Sequence, residues 1–228
     1  MMAWFNSIGQ APGIEWQNTI GGSGIDIIHC LQQTSDGGYI LGGISTSGIS
    51  GDKNEAALPL EAYGTTGDYW VVKLSNTGSI QWQNTIGGGN SDWLYSIEQT
   101  IDGGYILGGF SFSGLSGDKT ESGFGNGDFW VIKISNLGTI EWQNTLGGNL
   151  TDYLINIHQT IDGGYILGGL SNSDISGDKS EASLGSLDYW VVKLNNSGAV
   201  EWQNTIGGID ADHLCSIQQT IDGGFILG

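Results

Sequence analysis

Three series of aspartates carry the chemistry this chain is best equipped to perform. Asp26, Asp92, Asp152 and Asp212 each follow a Gly-Gly step; Asp52, Asp118 and Asp178 lie in Ser-Gly-Asp-Lys segments; Asp68, Asp128 and Asp188 precede an aromatic pair. Carboxylates and loop carbonyls are the hard oxygen ligands that Ca²⁺ takes, which makes Asp52, Asp118 and Asp178 the candidates for weak calcium binding. No copy has the closely alternating aspartates of a dedicated calcium loop. The stronger reading is structural: Asx turns and strand-start caps that satisfy backbone N–H groups. No other cofactor is expected.

Sugar stacking is the second candidate chemistry. Trp93 is the one tryptophan outside a regular spacing, and it follows Asp92; the matching positions elsewhere hold Ile27, Tyr153 and His213. A ring beside a carboxylate offers a glycan both a stacking face and a hydrogen-bond acceptor. Trp93, Asp92, Tyr153 and Asp152 are therefore candidate ligand-binding residues, weighed against a plain role for Trp93 in the core or rim of a linking loop. Tyr63 joins them from the segment 54–67, which is six residues longer than its counterpart 120–127 and also holds Pro59 and Glu61.

The remaining reactive side chains are less suggestive. His29, His158 and His213 fall in three different repeat registers and form no copied ligand set. The lysines are all repeat positions, Lys53, Lys119 and Lys179 in a loop and Lys73, Lys133 and Lys193 at a strand end, where nearby carboxylates explain them. Cys30 and Cys215 are one register apart, which makes neither a disulfide framework nor a zinc site; a bridge between them would need the chain ends to meet. No hydrolase or metalloprotease motif stands apart from the repeat. A catalytic alternative, a glycan-active enzyme, would have to use the irregular loop 54–67.

The elements that position these residues are copied. Trp4, Trp70, Trp130 and Trp190 form one ladder, and Trp16, Trp82, Trp142 and Trp202 another, each twelve residues behind the first; the steps are 66, 60 and 60 residues. Such a period marks a tandem array whose single unit cannot bury its own apolar face. The repeats run over 16–81, 82–141 and 142–201, with a half repeat at 1–15 and a partial one at 202–228. The 41 glycines recur at fixed repeat positions, as turn residues and points of close strand packing.

Charge excludes some partners. Twenty-four acidic residues against six lysines give −18, the opposite of the basic footprint that nucleic acid needs. No segment approaches the roughly 18 apolar residues of a membrane span, and residues 1–7 lack the parts of a secretion signal, so neither nucleic-acid binding nor membrane insertion is expected.

One unit reads as four antiparallel strands: residues 96–100, 105–111, 128–134 and 139–145, with turns at Asp102-Gly103-Gly104 and Asn136-Leu137-Gly138. No helical period persists. If Asn76-Thr77-Gly78 is a three-residue loop with Gly78 left-handed, Val72 faces Trp82 and Trp70 lies one diagonal step away. The two indoles would then share one sheet face, with Tyr69 and Val71 on the other. A sheet apolar on both faces must be sandwiched between neighbours, as a propeller blade is. The fold expected is all-β: a β-propeller of four-stranded antiparallel blades, about four of them, or a fragment of a larger array. The chain opens on the third and fourth strands of one unit and stops after the first two of another, which leaves ring closure or an open edge, with self-association through that edge.

The unit GG…D…SIxQTxDGGYILGG…S…GDK…DYWVVKLxxxGxIxWQNTIGG resembles the bacterial β-propeller repeat family of Bacteroidetes-type surface and secreted proteins. The resemblance covers 16–228. It implies a propeller and an extracellular or cell-surface setting, and no activity. The expectation is a non-catalytic module that binds a glycan or protein, or serves as a spacer.

Overall fold

The computed structural model describes residues 13–58 and 67–228. Trp4 and Tyr63, and most of the segment 54–67, lie outside the described residues. Every regular element among those described is a strand, and no helix is long and apolar enough to cross a membrane.

Three four-stranded antiparallel sheets follow one another, each ordered as the chain runs. The first contains β1 (Asp26–Gln33), β2 (Tyr39–Ser45), β3 (Asp68–Leu74) and β4 (Ile80–Ile86). The second contains β5 (Asp92–Gln99), β6 (Tyr105–Ser111), β7 (Asp128–Ile134) and β8 (Ile140–Leu146). The third contains β9 (Asp152–Gln159), β10 (Tyr165–Ser171), β11 (Asp188–Leu194) and β12 (Val200–Ile206). A two-stranded sheet, β13 (Ile217–Gln219) with β14 (Phe225–Leu227), follows. Consecutive sheets stack: β5 crosses the face of β1–β3, and β9 that of β5–β7.

Both faces of each inner sheet are buried, as the doubly apolar third strand requires. Tyr69, Val71 and Ile86 of the first sheet meet Leu94, Ile97, Leu107, Trp130 and Ile132 of the second in one core. Phe129, Val131 and Leu146 meet Leu154, Ile157, Leu167, Trp190 and Val192 in the next. Glycines set the spacing. A Cβ at Gly42 would press on Leu94, at Gly108 on Leu154, and at Gly168 on Leu214, so the second strand's bare backbone admits the next sheet's first strand.

Two expectations are corrected. Val72 pairs with Gln83, and Trp82 pairs with Lys73. The left-handed Gly78 at φ +79° is present, but the register shifts between Lys73 and Leu74, leaving Gln81 as the extra residue of a β-bulge. One inserted residue moves everything beyond it to the opposite face. Trp70 and Trp82 therefore sit on opposite faces. The bulge has a use: Gln81 Oε1 accepts from Lys73 Nζ at 3.0 Å, as Glu141 does from Lys133 and Glu201 from Lys193.

The first strand of the unit is also longer than expected, beginning at Asp92 and not at Ser96. A second bulge, between Leu94 and Ser96, hid its alternation. Trp93 is consequently a strand residue opposite Phe110, not part of a linking loop.

Candidate functional site

The first-strand bulges decide what surrounds Trp93. His29 and Tyr95 are the unpaired residues of the bulges in β1 and β5, and a bulge re-aims its side chain. The two rings stack at 4.5 Å with an interplanar angle of 17°. His29 is held there by a 2.8 Å hydrogen bond between Nδ1 and the Leu94 carbonyl, with the ring nitrogen donating. Tyr95 lies near-parallel to Trp93, centroids 6.5 Å apart, and to Phe110 at 5.5 Å. Trp93 is near-parallel to Phe110 at 5.8 Å. Tyr153, from β9, closes on Phe110 at 4.3 Å, and Phe112 meets the same ring edge-on at 5.7 Å.

The result is a row of six rings across the starts of three successive first strands. Phe110 is its buried anchor, Phe112 is 40% exposed, and His29, Trp93, Tyr95 and Tyr153 are half-buried. Burial raises the Tyr95 hydroxyl above its ordinary range, and the neighbouring Tyr153 adds to the shift. Such a row offers flat apolar faces with a few polar handles. Trp93 and Tyr153, expected from the sequence, are brought together here. His29, Tyr95, Phe110 and Phe112 were not expected. For Tyr95, Phe110 and Phe112 the signal was the concentration of aromatics in the second copy, where the first has Ile44 and Thr46 and the third Leu170 and Asn172; His29 belongs to the first copy and had no such signal.

The two aspartates beside those rings do not join the face. Asp92 and Asp152 are fully buried. Asp92 Oδ2 accepts from Gly88 N at 2.7 Å and Ser113 Oγ at 3.0 Å, and Asp152 from Gly148 N and Ser173 Oγ at the same distances. They tie the Gly-Gly link to the end of the second strand, which leaves the rings alone to meet a ligand.

The Ser-Gly-Asp-Lys aspartates are staples between loop and link. Asp52 and Asp118 accept from Gly21 N and Gly87 N, each at 3.2 Å. Their carbonyls and that of Asp178 accept from Gln83, Gln143 and Gln203, whose other side-chain atom accepts from the Trp70, Trp130 and Trp190 indoles. Among the described residues no group of three or more His, Cys, Asp or Glu converges as metal ligands.

All six lysines are buried, at 2–4% exposure. Lys53, Lys119 and Lys179 lie 5.1, 5.2 and 5.8 Å over the rings of Trp70, Trp130 and Trp190 and donate to Thr85, Thr145 and Thr205. Burial lowers the Lys119 ammonium to about 8. Lys73, Lys133 and Lys193 bind Asp36, Asp102 and Asp162 at 2.9 to 3.0 Å. With no arginine in the chain, every lysine and arginine charge is spent inside, and the outer surface is anionic.

One further polar cluster forms between β5 and β9. His158 Nδ1 lies 2.7 Å from Glu98 Oε2 and its Nε2 3.3 Å from Asn156 Oδ1, in an open groove of about 540 Å³ that β13 also lines. The third-strand Trp ladder is sealed, with Trp70, Trp130 and Trp190 at 0–1%; Trp82 and Trp142 are partly buried, and Trp16 and Trp202 lie at the ends of the stack, 39% and 38% exposed. Cys30 and Cys215 are both free thiols, the first half-buried and the second exposed. No protein-family model matches this chain, and no curated protein matches it.

Proposed function

We propose that the stacked sheets are blades of a β-propeller, whole or part of a larger array, and that the molecule is a non-catalytic binding module of a bacterial surface or secreted protein. Its ligand is a neutral glycan, which stacks on the row around Trp93. The carrying observation is the row itself: the near-parallel rings of Trp93, Tyr95 and Phe110 in the second sheet, joined by His29 from the first and Tyr153 from the third. A scaffold alone has no use for that asymmetry, because at the Phe110 and Phe112 positions the other units carry Ile44 and Thr46 or Leu170 and Asn172.

The charge distribution narrows the ligand class. Sulfated or sialylated glycans need a cation, and every lysine is buried beneath the surface. The extracellular setting rests on the resemblance of the repeat unit to the propeller family. A printed array of neutral and acidic glycans, followed by calorimetry on any positive, tests the reading. Retention of a neutral glycan, lost in Trp93→Ala with unchanged melting, is expected. Retention of no glycan, as a pure spacer requires, or equal affinity in Trp93→Ala, would reject it.

A further inference from the structure

Each junction between sheets buries two carboxylates beside one another. Asp68 opens β3 and Asp92 opens β5 of the next sheet; Asp128 and Asp152 repeat the arrangement. All four are 0–1% exposed. In each, one oxygen alone is hydrogen-bonded. Asp92 Oδ2 and Asp152 Oδ2 each accept from a backbone N–H and one serine hydroxyl, that of Ser113 or Ser173. Asp68 Oδ2 accepts from Leu58 N at 2.5 Å, and Asp128 Oδ2 from Phe124 N at 3.0 Å. The Oδ1 atoms of Asp92 and Asp152 are buried without a donor, and so is the other oxygen, Oδ1, of Asp68 and Asp128. It is turned on Gly87 or Gly147, where a Cβ would overlap it. At the third junction Asp188 and Asp212 both border Gly207 in the same way.

The surrounding charges do not balance these pairs. Lys53 is flanked by Asp26, Asp68 and Glu55, and Lys119 by Asp92, Asp128 and Glu121. Asp118 faces Asp68, and Lys179 faces Asp152. Each of these ammonium groups already donates to a threonine and covers a tryptophan ring. Two aspartates per lysine leave a negative charge in excess at every junction, and an unpaired buried charge is among the costliest features a fold can hold.

We propose that each junction binds one proton, held between Asp68 and Asp92 and between Asp128 and Asp152, so that the orphaned oxygen becomes a donor and the stack tightens on mild acidification. Two like carboxylates buried together ionise in separate steps. Burial first, and the adjoining carboxylate after it, push Asp68 up to about 7 and Asp128 up to about 6. An acid whose folded pKa exceeds its unfolded value of about 4 stabilises the fold fully below that value. The contribution is lost as pH rises through the folded pKa, here between about 4 and 7.

Urea midpoints from pH 8 to pH 5, in potassium chloride high enough to screen the surface charges, test this on the intact chain. The wild-type midpoint is expected to rise towards pH 5. Asp68→Asn/Asp128→Asn, which replaces each acid by an uncharged group of its shape, is expected to flatten that rise. A flat or falling wild-type midpoint overturns the proposal whether or not the variant folds. So does a variant profile parallel to the wild type. So does calcium chloride at pH 8 restoring the pH 5 midpoint, which would make the bound species a cation.

Discussion

Trp82 meets Tyr105 edge-on, ring centroids 5.9 Å apart at 62°, across the junction between the first and second sheets. Trp16 with Tyr39, Trp142 with Tyr165 and Trp202 with Phe225 repeat the contact at 5.5 to 5.7 Å. The other ladder serves the same junctions from the opposite side: Trp130 packs on Tyr69 at 5.0 Å, and Trp190 on Phe129 at 4.7 Å. Every junction between complete sheets is thus pinned by one tryptophan reaching forward and one reaching back.

That division predicts unequal costs. Trp130 is fully buried, and its indole donates to Gln143 at 3.1 Å. Trp130→Ala should cost about 3–5 kcal/mol, the range for a large aromatic removed from a core. Trp202→Ala, at a position already 38% exposed, should cost clearly less. Urea denaturation followed by circular dichroism compares the two without relying on indole fluorescence. Equal costs would mean that the two ladders do not differ in the way their burial indicates.

Glycine positions give a second contrast. A Cβ at Gly109 would overlap the Trp93 carbonyl, because the bulge in β5 brings that backbone across the second strand. Gly109→Ala should destabilise by about 3 kcal/mol, at the upper end of overpacking. Gly114 has open space where its Cβ would go, and Gly114→Ala should stay within about 0.5 kcal/mol of wild type. Thermal melts of both variants decide it. A mild Gly109→Ala would show that β6 can shift away from β5.

The repeat period, the strand count and the doubly apolar third strand were legible in the sequence, because they depend on spacing and residue type. The register of Trp82 was not. Gln81 in its bulge looks like any alternating strand residue, and nothing local distinguishes a paired glutamine from an extra one. The ring row was half legible for the same reason. Trp93 and Tyr153 stood out as odd members of a copied series, whereas His29 and Tyr95 meet through bulges that no periodicity displays. Asp92 and Asp152 adjoin aromatics in the sequence, which marks them as ligand groups; alternation along the strand turns them the other way, into serine and glycine donors.

The acid side of the stability curve has its own origin. The Thr160 hydroxyl, donating at 2.5 Å, leads the groups that hold the Asp162 carboxyl down to about 2, with Gly164 N and Lys193 adding to it. Asp36 lies well below the usual carboxylate range for like reasons, the Thr34 hydroxyl first and Lys73 next. A lowered pKa contributes stability above the unfolded value of about 4, and that stability disappears as pH falls through the folded value. Stability should therefore drop below pH 4. Thr160→Val removes the leading donor while keeping the volume, so the Asp162 carboxyl should titrate nearer the ordinary range. Carbon-detected NMR of the side-chain carboxyl measures it. An unmoved titration would assign the depression to Lys193 instead.

The two cysteines should differ sharply in reactivity. Burial pushes the Cys30 thiol up to about 12, opposed only partly by contacts with the backbone of Gly42 and Ile97. Its Sγ donates to the Gly42 carbonyl at 3.4 Å, and a thiol kept protonated in this way is a poor nucleophile. Cys215 is exposed. A disulfide reagent at pH 8 should modify one thiol per native chain at the rate of a free cysteine, and the second only as denaturant unfolds the first sheet. Cys215→Ser should abolish the fast phase, and Cys30→Ser should leave it intact. Two fast thiols in the wild type would mean that β1 opens readily from β2, and that the His29–Tyr95 stack, which depends on the same bulge, opens with it.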